Sequence, residues 1–316
     1  VRNSARSFFA ARPHSGHFRL GAPAMSYQHL GQRRLPRLYA INTLGGALGS
    51  LLSAYAVLPA LGVTGTMQAA AVVNVAIGVT AIVLGMRGPA VARLERRGEP
   101  AVVVEPIPFP LLGFAFASGF LVFAAEVVQT HLLAVLIGNS AYAFGLMLAV
   151  FLVCLGLGAA RAPVLAERHG AGAIARGLAL AAIGLAVMTP GWDQLPHLFA
   201  AAGKVFDSWA AREICRAVAA IGILAVPTFF MGTTFPLLLA RIASRPSVAR
   251  DTARLTIANT TGTILGSVVT GYGVLPLLGS QRTLVAVTIA FAGLCALAFL
   301  GAGERRVEPP EQEHAR

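Results

Sequence analysis

The sequence predicts an all-α, polytopic helical membrane protein of about eight transmembrane helices with a parallel internal repeat. Three observations predict it. Of 316 residues, 56% are hydrophobic and 12% are charged, about half the charged share of an ordinary globular domain. The apolar residues gather in runs long enough to cross a bilayer, and mean hydropathy is +0.71. Residues 38–62 recur, without a gap, as residues 255–279. A water-soluble chain of this size could not cover its surface with so few charges. A disordered chain would be poor in apolar residues, not rich in them. Cys154, Cys215 and Cys295 are odd in number, widely spaced and set in or beside apolar runs. They read as small membrane-buried side chains, not as a disulfide framework.

A helix needs about 20 apolar residues to cross about 30 Å of hydrocarbon. Eight such runs lie near 38–60, 65–86, 110–136, 140–160, 173–191, 214–240, 255–277 and 282–302. The net charge of +12 rests almost wholly on arginine, with Lys204 the one lysine. These cations stand between apolar runs and not along one soluble face, so the basic balance does not point to nucleic acid. With eight spans, 21 of the 25 basic residues fall on one side, and Lys204, Arg212, Arg216 and Arg282 on the other. Arginine holds loops in the cytoplasm. The split therefore predicts a multi-pass membrane protein with both termini cytoplasmic.

Residues 1–37 form a basic cytoplasmic arm with seven arginines and no acid. The arm shares the composition of organellar transit peptides and lacks the apolar core of a secretory signal. The first residue is Val1, which points to a non-standard start codon or to a fragment of a longer N-terminal half. Residues 303–316 read as a disordered, solvated tail. The stretch 192–212 interleaves Trp192, Leu195, Phe199, Phe206 and Trp209 with polar residues. It reads as an interfacial amphipathic segment with its tryptophans at headgroup level.

In the repeat, 13 of 25 positions are identical at a constant offset of 217. The identities include Asn42/Asn259, Thr43/Thr260, Gly45/Gly262, Gly49/Gly266, Tyr55/Tyr272, Pro59/Pro276 and Gly62/Gly279. Both copies start on the same side, so the repeat is parallel, as in major-facilitator transporters. Gly45 with Gly49, and Gly262 with Gly266, sit four apart on one helical face, a spacing that lets another helix approach closely. Asn42 and Asn259 either tie helices together or line a polar cavity, because an amide in hydrocarbon needs partners. Pro227 and Pro236 interrupt the sixth span and predict a kink.

The pattern L-Y-A-x-N-T-x-G-x-x-x-G ending in L-P-x-L-G resembles the membrane region of bacterial spermidine synthase-like proteins, the fused major-facilitator/spermidine synthase family. Residues 119–159, with Glu126 and Ser140-Ala141-Tyr142-Ala143-Phe144, and the segment PTFFMGTTFPLLLAR at 227–241 carry the same likeness. It spans roughly residues 35–302. The family tends to have Trp and Arg where this chain has Gln129 and His131, so the likeness does not carry a cationic role to that helix. Fused members also carry a soluble synthase domain, which this sequence lacks.

Aminopropyl transfer needs a nucleotide-binding βαβ unit and carboxylates to deprotonate the amine. No soluble segment is long enough for that unit, and Gly156-Leu157-Gly158 ends a membrane run instead of following a strand. The metal signatures His-Glu-x-x-His and paired Cys are absent from the sequence. No cofactor, metal or catalytic residue is therefore expected.

Glu126 is the acid expected inside the membrane. Such residues face the bundle interior and often mark ion or substrate routes. Gln129 and Thr130 share its helical face, whereas His131 lies about 140° around the helix. The candidate pathway residues are thus Glu126, Gln129, His131, Tyr142, Asn42 and Asn259, with Asn139 a further partner. A neutral, purely structural Glu126 is the alternative. Two functions follow. One is a non-catalytic membrane module that anchors, or passes small-molecule substrate to, a cytoplasmic synthase-like domain or partner. The other is a stand-alone secondary transporter of a polyamine or another small cation. The partners expected are the lipid bilayer and that synthase-like protein, with no nucleic acid.

Overall fold

The computed structural model describes residues 22–87, 106–245 and 247–303. The tail from 304 and most of the N-terminal arm lie outside these residues. Among the described residues there are helices and no strand. The helices are α1 (Ala22–Leu52), α2 (Leu58–Arg87), α3 (Phe109–Ile137), α4 (Ala141–His169), α5 (Ala173–Val205), α6 (Trp209–Ile242), α7 (Val248–Val268) and α8 (Leu275–Gly303). Helix α1 starts at Ala22, inside the stretch assigned to the basic arm.

Six helical stretches are long and apolar enough to cross a membrane. Two of them, Leu35–Leu84 and Val248–Leu300, run for 50 and 53 residues. At about 1.5 Å per residue each would exceed 70 Å, more than twice the hydrocarbon thickness. Each is divided where the sequence places a boundary between spans. At Gly62 the backbone takes φ 66° and ψ −177°, and at Gly279 it takes φ 74° and ψ 168°. Only glycine enters that region without strain.

The repeat is structural as well as sequential. Residues Ser53–Val57 and Val269–Val274 both widen into a π-helical turn. Both turns lead into a helix that breaks seven residues after position 55 or 272. The insertion, the proline and the positive-φ glycine thus recur at the same offset.

Glycines set the packing. A methyl group on Gly158 of α4 would strike the Phe229 carbonyl of α6, and one on Gly232 of α6 would strike the Leu155 carbonyl of α4. The Gly156-Leu157-Gly158 segment is therefore a helix-crossing point. Helix α5 runs antiparallel to α6, with Gly177 against Thr233, Gly184 against Pro227 and Gly191 against Ile223. Helix α7 runs parallel to α3, with Gly262 and Gly266 against the Phe116 and Phe120 carbonyls. Helix α1 runs antiparallel to α4: Gly156 meets Leu44 and Gly145 meets Ala54. Helix α8 packs on α5 and α3. Both copies of the repeat thus run toward the end of the bundle where α3 finishes and α4 begins.

Two expectations are corrected. Gly45 and Gly49 do not pack inside the chain, since nothing among the described residues would meet a side chain at either. The face of α1 that turns inward carries Ala40, Thr43 and Ala47 instead, continued by Ala54 in the π-helical turn. The stretch 192–212 is not a separate interfacial segment. Helix α5 continues through Pro190 and Pro196 to Val205, and Trp192 is buried in the core at 7% exposure. Only Phe206–Ser208 separate it from α6. Helix α6 runs from Trp209 to Ile242 and holds Pro227 and Pro236, both buried. Cys154 and Cys295 are buried and Cys215 is partly buried, all three as free thiols.

Candidate functional site

The end of the bundle opposite the arginine-rich α4–α5 and α6–α7 turns holds a cluster of polar and aromatic side chains. Three elements build it. The π-helical turn of the first repeat copy brings Tyr55, the first turn of α4 brings Tyr142, and the first two turns of α6 bring Trp209, Glu213 and Arg216. Ser140 caps α4 by accepting from the Ala143 amide at 3.1 Å. Ser208 caps α6 by accepting from the Ala211 amide at 3.2 Å. A side-chain oxygen at this position satisfies one of the free amides of the first turn, which fixes where both helices start and where their first side chains point.

The three rings contact one another in all pairs. Tyr55 and Tyr142 lie 5.3 Å apart between centroids, Tyr142 and Trp209 5.8 Å, and Tyr55 and Trp209 6.3 Å. The Tyr55 hydroxyl donates to Glu213 Oε2 at 3.0 Å and reaches the Tyr142 carbonyl at 3.4 Å. Arg216, one turn on from Glu213, donates to Glu213 Oε1 and forms an ion pair with it. The Glu213 side chain is 9% exposed and the Arg216 side chain 31%. Arg216 also lines a cavity of about 80 Å³ with Leu136, Ile137, Phe199, Arg212 and Cys215 among others.

Of the residues picked from sequence, only Tyr142 belongs to this cluster. Glu126 lies on α3, half-buried, with no hydrogen bond or ion pair among the described residues. It borders the inward stripe of Ser118, Val122, Ala125 and Gln129. Gln129 is 2% exposed and its Oε1 finds no partner. Thr228 and Thr234 of α6 are also buried with unpartnered hydroxyl oxygens. Such groups are costly in a dry interior, so the core carries several polar atoms that packing alone does not explain. Asn259 is half-buried and sits over Gly119, where a methyl would meet its backbone carbonyl and its Oδ1. It lines a small cavity of about 20 Å³ with Tyr39, Ser118, Met231 and Phe235 among others. Asn42, its counterpart, is exposed and ties no helices together among the described residues. His131 is exposed as well. Asn139 is exposed and borders an open cavity with Thr130, Ser140 and Phe144. These candidates therefore do not converge on one site.

Sequence reasoning missed Glu213 because the sixth span was started at 214. The signal was present: Glu213 and Arg216 stand three apart, the spacing of an ion pair on one helical face. Tyr55 was visible only as a repeated residue, and Trp209 only as an interfacial one.

Comparison with known proteins adds no family: no family model, curated protein sequence or solved structure matches the chain.

Proposed function

We propose that the chain is a non-catalytic, transporter-like membrane module that takes a small organic cation at the Tyr55–Glu213 end and passes it into the helix bundle. One observation carries this reading. A buried carboxylate accepts from Tyr55, one of three mutually packed aromatic side chains, and already holds an internal cation, Arg216. Carboxylate and aromatic faces together are the chemistry that recognises ammonium groups. Arg216 acts as the resident competitor. An incoming ammonium replaces it on Glu213, and the guanidinium moves toward the cavity it shares with Arg212. Buried polar atoms on α3 and α6, with Glu126 beside them, mark the route onward.

The likeness to spermidine synthase-like membrane regions favours a polyamine as the cation and a cytoplasmic synthase-like domain or protein as its recipient. The same likeness favours a bacterial inner membrane, and the arginine split favours Glu213 on the side away from the cytoplasm.

The test is binding by the reconstituted full chain. Trp209 reports on the site, and Trp192→Phe removes the only other tryptophan. Putrescine should change Trp209 emission saturably. Glu213→Gln should abolish the change, and Arg216→Gln should tighten binding about tenfold by removing the competitor. Weaker binding in Arg216→Gln would mean that the arginine itself takes the solute and would overturn the cation reading.

A further inference from the structure

Arg216 serves two places. One amino group of its guanidinium is spent on Glu213, and a guanidinium carries five donors. The same side chain lines the cavity of about 80 Å³ between the ends of α3, α5 and α6. Arg212, one turn earlier on α6, lines it too. Its side chain has no hydrogen bond or ion pair among the described residues. Like charges four apart on a helix repel. Arg212 and Arg216 against Glu213 leave one positive charge uncompensated. Lys204 and Asp207, the charged residues between the cavity's α5 and α6 walls in sequence, cancel each other and do not line it.

The rest of the lining is largely apolar, with Leu136 and Ile137 from the last turn of α3 and Phe199 from α5. Helices α3, α5 and α6 hold 29, 33 and 34 residues. At about 1.5 Å per residue they measure about 43–51 Å, against about 40–45 Å for a bilayer with its headgroup layers. Their ends therefore reach headgroup depth. The cavity is larger than the about 30 Å³ share of one water, so it admits a group of several heavy atoms.

We propose that this cavity binds the phosphate of an anionic phospholipid, held by Arg212 and Arg216, with the start of the acyl chains against Leu136, Ile137 and Phe199. Guanidinium donors match phosphate oxygens in pairs, and basic pockets between transmembrane helices take anionic head groups. A phosphodiester carries the single negative charge that the cavity lacks. A zwitterionic choline lipid brings a second positive charge to the same place and fits worse. Under the reading of Glu213 as a cation site, the same phosphate receives the guanidinium that an incoming cation displaces. The lipid site itself does not rest on that reading.

The experiment is native mass spectrometry of the full chain, delipidated in detergent and titrated with lipid in the absence of any polyamine. Wild type should retain one phosphatidylglycerol saturably, and phosphatidylcholine at least about tenfold more weakly. Arg212→Gln should weaken phosphatidylglycerol about tenfold, with an unchanged unfolding midpoint because the side chain is exposed. Arg282→Gln, at the same end but outside the cavity, should leave binding unchanged. No saturable lipid, equal affinity for the two lipids, or an equal loss in both variants would each overturn the proposal. So would displacement of the lipid by inorganic phosphate at matched concentration, which would make the ligand a free anion. Because no polyamine is present, failure here leaves the Glu213 reading standing, and failure of putrescine binding leaves the lipid site standing.

Discussion

The Tyr55 hydroxyl donates a 3.0 Å hydrogen bond to Glu213 Oε2, tying the first repeat copy to α6 across 158 positions of sequence. Its twin, Tyr272, is 86% exposed. The pair offers an internal control. Tyr55→Phe should lower stability by about 1–2 kcal/mol, the range for a bond to a charged acceptor at a partly buried site. Tyr272→Phe should change it by less than about 0.5 kcal/mol. Thermal unfolding of both variants in one detergent checks this; equal shifts would mean that Tyr55 is held by its ring contacts alone.

Glycine substitutions should separate the two copies in the same way. Alanine at Gly262 or Gly266 drives a methyl into a backbone carbonyl of α3. Backbone cannot step aside as a side chain can, so a loss of about 2–3 kcal/mol is expected from overpacking. Alanine at Gly45 or Gly49 meets nothing. In detergent-solubilised monomer it should raise stability, by up to about 1 kcal/mol, through helix propensity. Unfolding curves showing the same sign at Gly45 and Gly262 would contradict this assignment of faces.

Gly62 and Gly279 pose a different question, because no atom crowds either one. Their φ values of 66° and 74° alone resist a side chain. Alanine at each should cost about 1–2 kcal/mol, the penalty for a left-handed L-residue. The loss should be similar at both, since strain and not packing causes it. Differential scanning calorimetry on the two single variants measures this directly.

At the arginine-rich end, Asp251 is 1% exposed and accepts from Arg245 Nε and Ser247 Oγ, both at 2.7 Å. The acid pins the α6–α7 turn and hence the start of the second repeat copy. Asp251→Asn keeps the shape but loses the charge, and should cost about 2–3 kcal/mol. Ser247→Ala should cost about 1 kcal/mol. Proteolysis at the 243–247 turn, compared across the variants, reads the loosening locally.

Much of this fold was legible in the sequence because its determinants are local. Twenty-residue apolar runs, loop arginines and a gapless repeat need no knowledge of partners. The repeat even places the π-helical turns and the breaks at Gly62 and Gly279 in register. What could not be read was which face each copy buries. Asn42, Gly45 and Gly49 are the same residues as Asn259, Gly262 and Gly266, yet one set meets water or lipid and the other meets α3. That difference belongs to α4, whose Gly145 and Gly156 draw α1 onto its alanine face, and not to the repeat. Glu213 was lost for a smaller reason: it sits one residue outside an apolar run, where it reads as loop. Its tie to Tyr55, which arrives from the π-helical turn of the first repeat copy, is long-range and leaves no local mark.

Glu126 supplies the last prediction. It borders the inward stripe of α3 that also carries Ser118 and Gln129, and it has no hydrogen-bond or ionic partner among the described residues. A carboxyl group held there for structure alone would be expected to find a partner, since a polar group in a dry interior is stable only when satisfied. Glu126→Gln keeps the volume and the hydrogen-bonding capacity while removing the ionisable proton. The variant should therefore fold with an unfolding midpoint close to wild type, while putrescine flux into proteoliposomes falls at least about tenfold. Glu213→Gln should instead abolish saturable binding itself. Equal flux in wild type and Glu126→Gln would show that the solute route bypasses α3, even with the Glu213 site intact. Loss of both flux and stability would assign Glu126 to the scaffold.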